Sequence, residues 1–228
     1  MFQHKICGIR SASDAAAAVN AGASAVGVIC GTTHKSEDAV TSALAKNLVR
    51  LVPSSITTVL VTHLTNPRDI IALADTIGVD VIQLHGEISL AAAKRVRRST
   101  HRRIIKAVHV VGPDALAAAV EAAAIFDALL LDSRTETRLG GTGLTHDWTI
   151  SKSIVEQVGH LVPIILAGGL TPTNLPAAIA EVRPFGVDVN SGVEDPEGNK
   201  SREQCEAFVT AARKGLNHAQ PWRPAAAH

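Results

Sequence analysis

The residues best suited to chemistry stand at the ends of apolar runs. Cys7 ends His4-Lys5-Ile6-Cys7, Asp132 ends Ala128-Leu129-Leu130-Leu131-Asp132, and Ala167-Gly168-Gly169 and Asn190-Ser191-Gly192 end two later runs. A thiol and a carboxyl can pass protons to and from one substrate, and side-chain-free turns let backbone N–H groups converge on a phosphate monoester. Cys7 has a second reading as a small packing residue. Lys5, two residues earlier, shares its side of a strand and could lower a thiol pKa. A carboxylate after three leucines is costly unless used or paired, and that apolar setting would raise its pKa as a proton donor near neutrality requires.

His34, His63, His85 and His109 form a further set, at or just past the ends of consecutive runs. Imidazoles sharing one face could hold a divalent metal. The alternative is a row of polar pocket walls, since no carboxylate pairs obviously with them. Lys106 could reach a phosphate or cross the barrel lower down.

To bring such distant residues together, the chain must open many strand ends onto one face. Short β-branched runs alternate with alanine-rich segments of helical period, which argues for repeated βα units and a parallel sheet. Strands are expected near 4–8, 24–30, 57–63, 79–85, 103–109, 127–132, 162–167 and 185–190, and helices near 12–21, 40–51, 67–77, 88–98, 113–123, 147–157, 172–181 and 201–213. Ser13-Asp14, Asn66-Pro67, Gly112-Pro113-Asp114 and Thr171-Pro172 open helices, and Gly22 and Gly78 close them. The fold class is therefore α/β, a single (β/α)8 TIM barrel over residues 1–214, with a flexible tail over 215–228. A doubly wound open sheet uses the same alternation, but it gathers ligand groups at one switch point instead of at several strand ends. The one long connection, from Ser133 to about His146, carries Gly140-Gly141-Thr142-Gly143, and loops of this kind serve as lids or ligand clamps, or simply run over the surface.

At 228 residues and 46% hydrophobic content the chain can bury one substantial core. A net charge of +1 offers no broad attraction to nucleic acid or anionic membrane. Cys7, Cys30 and Cys205 cannot all pair, the amino terminus enters strand-like sequence at once, and no apolar run reaches membrane-spanning length. These features point to a cytoplasmic protein acting on a small molecule, as a monomer or homodimer.

Lys5-Ile6-Cys7-Gly8-Ile9, Gln83-Leu84-His85-Gly86, Asp132 followed by Gly140-Gly141-Thr142-Gly143 and Asp147-Trp148, Leu166-Ala167-Gly168-Gly169-Leu170-Thr171-Pro172, and Gly186-Val187-Asp188-Val189-Asn190-Ser191-Gly192-Val193-Glu194 together resemble the phosphoribosylanthranilate isomerase family of tryptophan biosynthesis, from residue 4 to about 214. The resemblance implies a cofactor-free Amadori rearrangement of a phosphoribosyl amine to an amino-deoxyribulose phosphate. It makes Asp132 the general acid on the furanose ring oxygen and Cys7 the general base on the C2 proton. It maps the phosphate cradle onto Gly141, Gly143, Gly168, Gly169, Ser191 and Gly192, with Lys5 and Asp188 joining the substrate pocket. Related barrels that isomerise the histidine-pathway substrate carry aspartate where Cys7 stands.

The chain departs from the family where an anthranilate ring would bind. Family members carry Ser-x-Arg after strand two, and the arginine helps hold the carboxylate; His34-Lys35-Ser36 stands here. Lys35, Arg134 or Arg138 could substitute, but lysine lacks arginine's planar fork. Strand three of the family ends Val-Phe-Val-Asn, whereas Val61-Thr62-His63-Leu64 occurs here, and His146 replaces the Phe before Asp-Trp. The phosphate half of the pocket is retained and the aglycone half rewritten, leaving a different phosphoribosyl or sugar-phosphate substrate, handled with or without a metal at the histidines, as the alternative enzyme. A barrel reduced to ligand sensing is the non-catalytic alternative, though it would not need both acid and base.

Overall fold

A computed structural model of the chain describes residues 1–132 and 148–216. Strands and helices alternate throughout: β1 (His4–Ile6), α1 (Ala12–Asn20), β2 (Ala25–Ile29), α2 (Ser42–Arg50), β3 (Thr57–Thr62), α3 (Pro67–Ile77), β4 (Val81–Leu84), α4 (Leu90–Arg98), β5 (Arg103–His109), α5 (Asp114–Ala123), β6 (Ala128–Asp132), α6 (Trp148–Val158), β7 (Ile164–Leu166), α7 (Leu175–Val182), β8 (Gly186–Val189) and α8 (Arg202–Leu216), with a 3-10 turn at Ser191–Val193 before α8. All strand pairs are parallel, and β8 returns to β1 through His4↔Val187, Lys5↔Asp188 and Ile6↔Val189. That pairing closes the barrel and excludes the open sheet.

Strand period sorts the core into two shells. Val59, Val61, Val81, Ile105, Ala107, Ala128, Leu130 and Ile165 fill the barrel. Their alternates Val26, Val28, Leu60, Ile82, Ile104, Leu129, Leu131 and Leu166 face the helices. Each such leucine or isoleucine, fully buried, contributes about 1.5–3 kcal/mol. Small alanines at Ala15, Ala18, Ala74, Ala93, Ala119 and Ala178 let the helices lie close on the strands.

Some boundaries differ from the sequence reading, each for a local reason. α1 is opened by Ser11, whose hydroxyl accepts the Asp14 N–H while the Asp14 carboxylate accepts the Ser11 N–H, a reciprocal capping box. α7 begins at Leu175 because the preceding turn is tied first: Thr171 N–H donates to Asn174 Oδ1 at 2.8 Å and Asn174 Nδ2 donates to the Gly169 carbonyl at 2.9 Å. α8 continues through Leu216 because Phe208, Val209, Ala212 and Leu216 keep one buried stripe. Residues 217–228, the greater part of the expected tail, lie outside the described residues. Among the described residues no helix is long and apolar enough to cross a membrane.

Candidate active site

Lys5 and Cys7 alternate inward from β1, as strand period requires, and the Cys7 N–H extends the ladder beyond the strand by donating to the Val189 carbonyl at 2.8 Å. Below the thiol, Lys5 Nζ donates to Asp188 Oδ2 at 2.6 Å, with the lysine side chain wholly buried. Room for both comes from Gly27 on β2. A Cβ there would lie 2.8 Å from Cys7 Sγ and 3.3 Å from Lys5 Nζ.

Electrostatics ties this pair to the thiol above it and to Asp132 across the barrel. Burial opposes the Lys5 ammonium, but Asp188, then Cys7, outweigh it and lift the lysine pKa. Burial raises the Cys7 thiol pKa; Lys5 pulls it back, without winning. Lys5 thus acts in the direction expected from the sequence, yet desolvation is larger and the ligand-free thiol lies above its ordinary range. Burial also pushes Asp188 up against the pull of Lys5, with Asp132 adding to the rise and His85 opposing it. Cys7, Lys5, Asp188, Asp132 and His85 therefore share one electrostatic neighbourhood.

Asp132 ends β6 beside its register partner His109 on β5. Its Oδ2 lies 3.3 Å from His85 Nε2 and 3.8 Å from His109 Nδ1. Two expectations are corrected here: the histidines do have a carboxylate partner, and the leucines do not make its surroundings. Leu129 and Leu131 point outward to the helices, and Leu130 points inward one layer below. Imidazoles are what Asp132 meets. From there the rings run edge to face around the mouth, with centroids 5.3 Å apart for His109 and His85, 5.2 Å for His85 and His63, and 4.7 Å for His63 and His34. Lys106 is engaged elsewhere, donating to the carbonyls of Gly86 and Ala107.

The glycine turns meet at the same pole. Gly168 and Gly169 follow β7 with φ of 83° and 63°, left-handed values that suit glycine. Gly192 packs so tightly on the β7 turn that a Cβ would fall 1.9 Å from the Leu170 carbonyl oxygen. Ser191 and Gly192 form the 3-10 turn after β8. This turn is anchored by Lys200, whose fully buried side chain donates to Asn190 Oδ1 at 2.7 Å and Glu194 Oε1 at 2.6 Å. Asn190 in turn donates to Asp38 Oδ2 at 2.8 Å, holding the loop that carries His34, Lys35 and Ser36. His34 and Lys35 are exposed and Ser36 is half-buried. Arg134, Arg138, Gly141 and Gly143 lie outside the described residues.

Sequence reasoning missed Gly27 and Lys200, and it placed Gln83 and Asn190 in motifs without giving either side chain a role. A lone glycine inside a β-branched strand is a signal for close approach; nothing in the sequence marked Lys200, because its partners come from a distant turn.

A closed (β/α)8 sheet with acid, thiol, imidazoles and glycine turns gathered at one pole defines a barrel enzyme, with groups suited to isomerisation by proton transfer. The family model for N-(5'phosphoribosyl)anthranilate (PRA) isomerase matches residues 4–211. N-(5'-phosphoribosyl)anthranilate isomerase 2 of Methanosarcina mazei is 39% identical over 212 residues, covering 92% of this chain and 93% of that protein. The crystal structure of phosphoribosyl anthranilate isomerase from Thermotoga maritima superposes with a TM-score of 0.82 at 30% identity, covering 94% of this chain and all (100%) of the other; a further structure from that organism is of monomers generated from the dimeric enzyme. Another solved isomerase, with a TM-score of 0.78, 29% identity and coverage of 94% of this chain and 100% of its own, holds reduced 1-(o-carboxyphenylamino)-1-deoxyribulose 5-phosphate. The chain belongs to the N-(5'-phosphoribosyl)anthranilate isomerase family, and is an isomerase of tryptophan biosynthesis.

Proposed function

We propose that the chain converts N-(5'-phosphoribosyl)anthranilate to 1-(o-carboxyphenylamino)-1-deoxyribulose 5-phosphate, with Asp132 as acid and Cys7 as base. Asp132 gives its proton to the furanose ring oxygen as the C1–O bond breaks, and the anthranilate nitrogen lone pair forms the C1=N bond. Cys7, as thiolate, then takes the C2 proton; those electrons form C1=C2 and return the N=C pair to nitrogen. The enolamine ketonises as C1 takes a proton from the Cys7 thiol and the C2 hydroxyl gives its proton to the Asp132 carboxylate, C1=C2 becoming C2=O, so all bonds balance and both proton carriers return to their starting states. Backbone N–H groups around Gly168, Gly169, Ser191 and Gly192 hold the phosphate, joined by Gly141 and Gly143 from the long loop.

The observation that carries this reading is the linkage of Cys7 through the buried Lys5–Asp188 pair to the field of Asp132. It supports two proton carriers acting on one sugar. On the anthranilate side, exposed Lys35 supplies the positive charge that the absent arginine would have given. Steady-state turnover of N-(5'-phosphoribosyl)anthranilate in chelator-treated buffer tests the proposal. Wild type converts it, while Cys7→Ala and Asp132→Asn each lose about 10²–10⁴-fold in kcat. Retained kcat in either variant overturns that residue's role; no conversion by wild type overturns the substrate. Ser36→Arg is expected to lower KM by restoring a planar grip on the carboxylate.

A further inference from the structure

The histidine row at the barrel mouth is more ordered than proton transfer at Asp132 requires. Its inner members already have the arrangement of a metal site. His109 Nε2 lies 3.1 Å from the His85 carbonyl oxygen, an atom that only accepts, so Nε2 carries a proton, and the neutral form of the ring has its lone pair at Nδ1, on the side of Asp132. His85 Nδ1 lies 3.2 Å from the Gln83 side-chain amide, and Gln83 Oε1 is buried without a hydrogen-bond partner among the described residues. Turning that amide over, an assignment hydrogen bonding alone decides, lets Oε1 accept the Nδ1 proton. The His85 lone pair then points through Nε2 at the same carboxylate. A metal-binding imidazole characteristically has its other nitrogen held by a carbonyl or amide oxygen in this way.

We propose that His85 Nε2, His109 Nδ1 and Asp132 Oδ2 form a site for a divalent transition metal of the zinc type, whose occupancy silences the isomerase. The three atoms lie within 4.8 Å of one another. The carboxylate-to-imidazole separations of 3.3 and 3.8 Å are close to the roughly 3.4 Å edge of a tetrahedron with bonds of about 2.0–2.2 Å. Paired imidazoles with one carboxylate favour zinc, cobalt or nickel over magnesium and calcium, which prefer all-oxygen shells. All three side chains are only partly buried, keeping 16–19% of their surface exposed. His63, packed edge-on against His85, limits the swing of that ring and keeps the site preformed.

The inhibitory consequence rests on the reading of Asp132 as the acid. A metal on Oδ2 occupies the lone pair that would carry the proton delivered to the ring oxygen, and the cation favours the ionised carboxylate. The first bond-breaking step then lacks its donor.

The test titrates chelator-stripped full-length protein with zinc chloride by calorimetry while turnover is followed in parallel. One zinc per chain is expected, with turnover falling as the site fills and returning on addition of a chelator, and with magnesium inert. His85→Ala and His109→Ala are each expected to weaken zinc at least about 10-fold, and Gln83→Leu, which only orients His85, by about 10–100-fold. Zinc-edge anomalous scattering from crystals of the unaltered chain is the check that needs no variant, with the ion expected among the three named atoms. Absent binding, unchanged affinity in both histidine variants, or an ion elsewhere overturns the site. Zinc held by these residues without loss of turnover leaves the site standing and overturns Asp132 as the acid.

Discussion

Lys5 Nζ stands 2.6 Å from Asp188 Oδ2, and the same residues are register partners where β8 closes on β1. The seam of the barrel and the floor of the site are thus one contact. Removing one partner of a buried ion pair strands the other charge at a cost of about 3–5 kcal/mol. Asp188→Ala is expected to lose stability on that scale by denaturant unfolding, and the Lys5→Met/Asp188→Leu double variant to recover most of it. A double variant no more stable than the single one would show that the charges are not coupled.

The raised Cys7 thiol sets a pH dependence. Burial favours the neutral form and Lys5 only partly offsets it, so the thiolate fraction grows with pH through a value above the ordinary thiol range. We expect kcat/KM to climb through neutral into alkaline pH, with iodoacetamide labelling of Cys7 following the same curve. Lys5→Met, which removes the opposing pull, is expected to move both curves to higher pH. Labelling that levels off at or below neutral pH would contradict this.

Two glycine substitutions separate phosphate holding from proton transfer. Gly192→Ala puts a methyl 1.9 Å from the Leu170 carbonyl oxygen, so the β7 and β8 turns must part; KM for the phosphorylated substrate is expected to rise. Gly27→Ala puts one 2.8 Å from Cys7 Sγ; kcat is expected to fall, by about 100-fold for a displacement near 1 Å. Equal effects of both variants on kcat alone would remove the phosphate assignment.

His4 provides a stability readout away from the chemistry. Burial first, then Arg213, pulls its pKa down to about 4, and Ser24 N–H donates to Nδ1 at 3.0 Å. The folded value lies below the unfolded one, so the unfolded chain binds the proton more readily. The stabilisation is complete above the ordinary histidine range and is lost as pH falls toward about 4. His4→Gln is therefore expected to narrow its stability deficit against wild type as pH drops through that window, measured by urea midpoints.

The repeat of strand and helix, the closure into a barrel, and the inward pairing of Lys5 with Cys7 were legible because hydrophobic period and strand alternation are local properties. Asp132 was legible as a costly carboxylate, but not its neighbours. Whether Leu129, Leu130 and Leu131 or His85 and His109 surround it depends on the stagger between β4, β5 and β6, which no single segment encodes. Lys200 was invisible for the same reason, since Asn190 and Glu194 reach it only after the β8 turn folds back. The departure at His34-Lys35-Ser36 was plain in the sequence; what that loop leans on, His63 and Asn190 through Asp38, was not.

The central claim is that Cys7 and Asp132 flank one sugar while the glycine turns hold its phosphate. A crystal structure of this chain with reduced 1-(o-carboxyphenylamino)-1-deoxyribulose 5-phosphate tests it most directly. The account requires Cys7 Sγ beside C2, the Asp132 carboxyl beside the oxygen freed from the ring, and the phosphate on the N–H groups around Gly168, Gly169, Ser191 and Gly192. A ligand that reaches only one of the two side chains, or whose phosphate sits away from both turns, would contradict it.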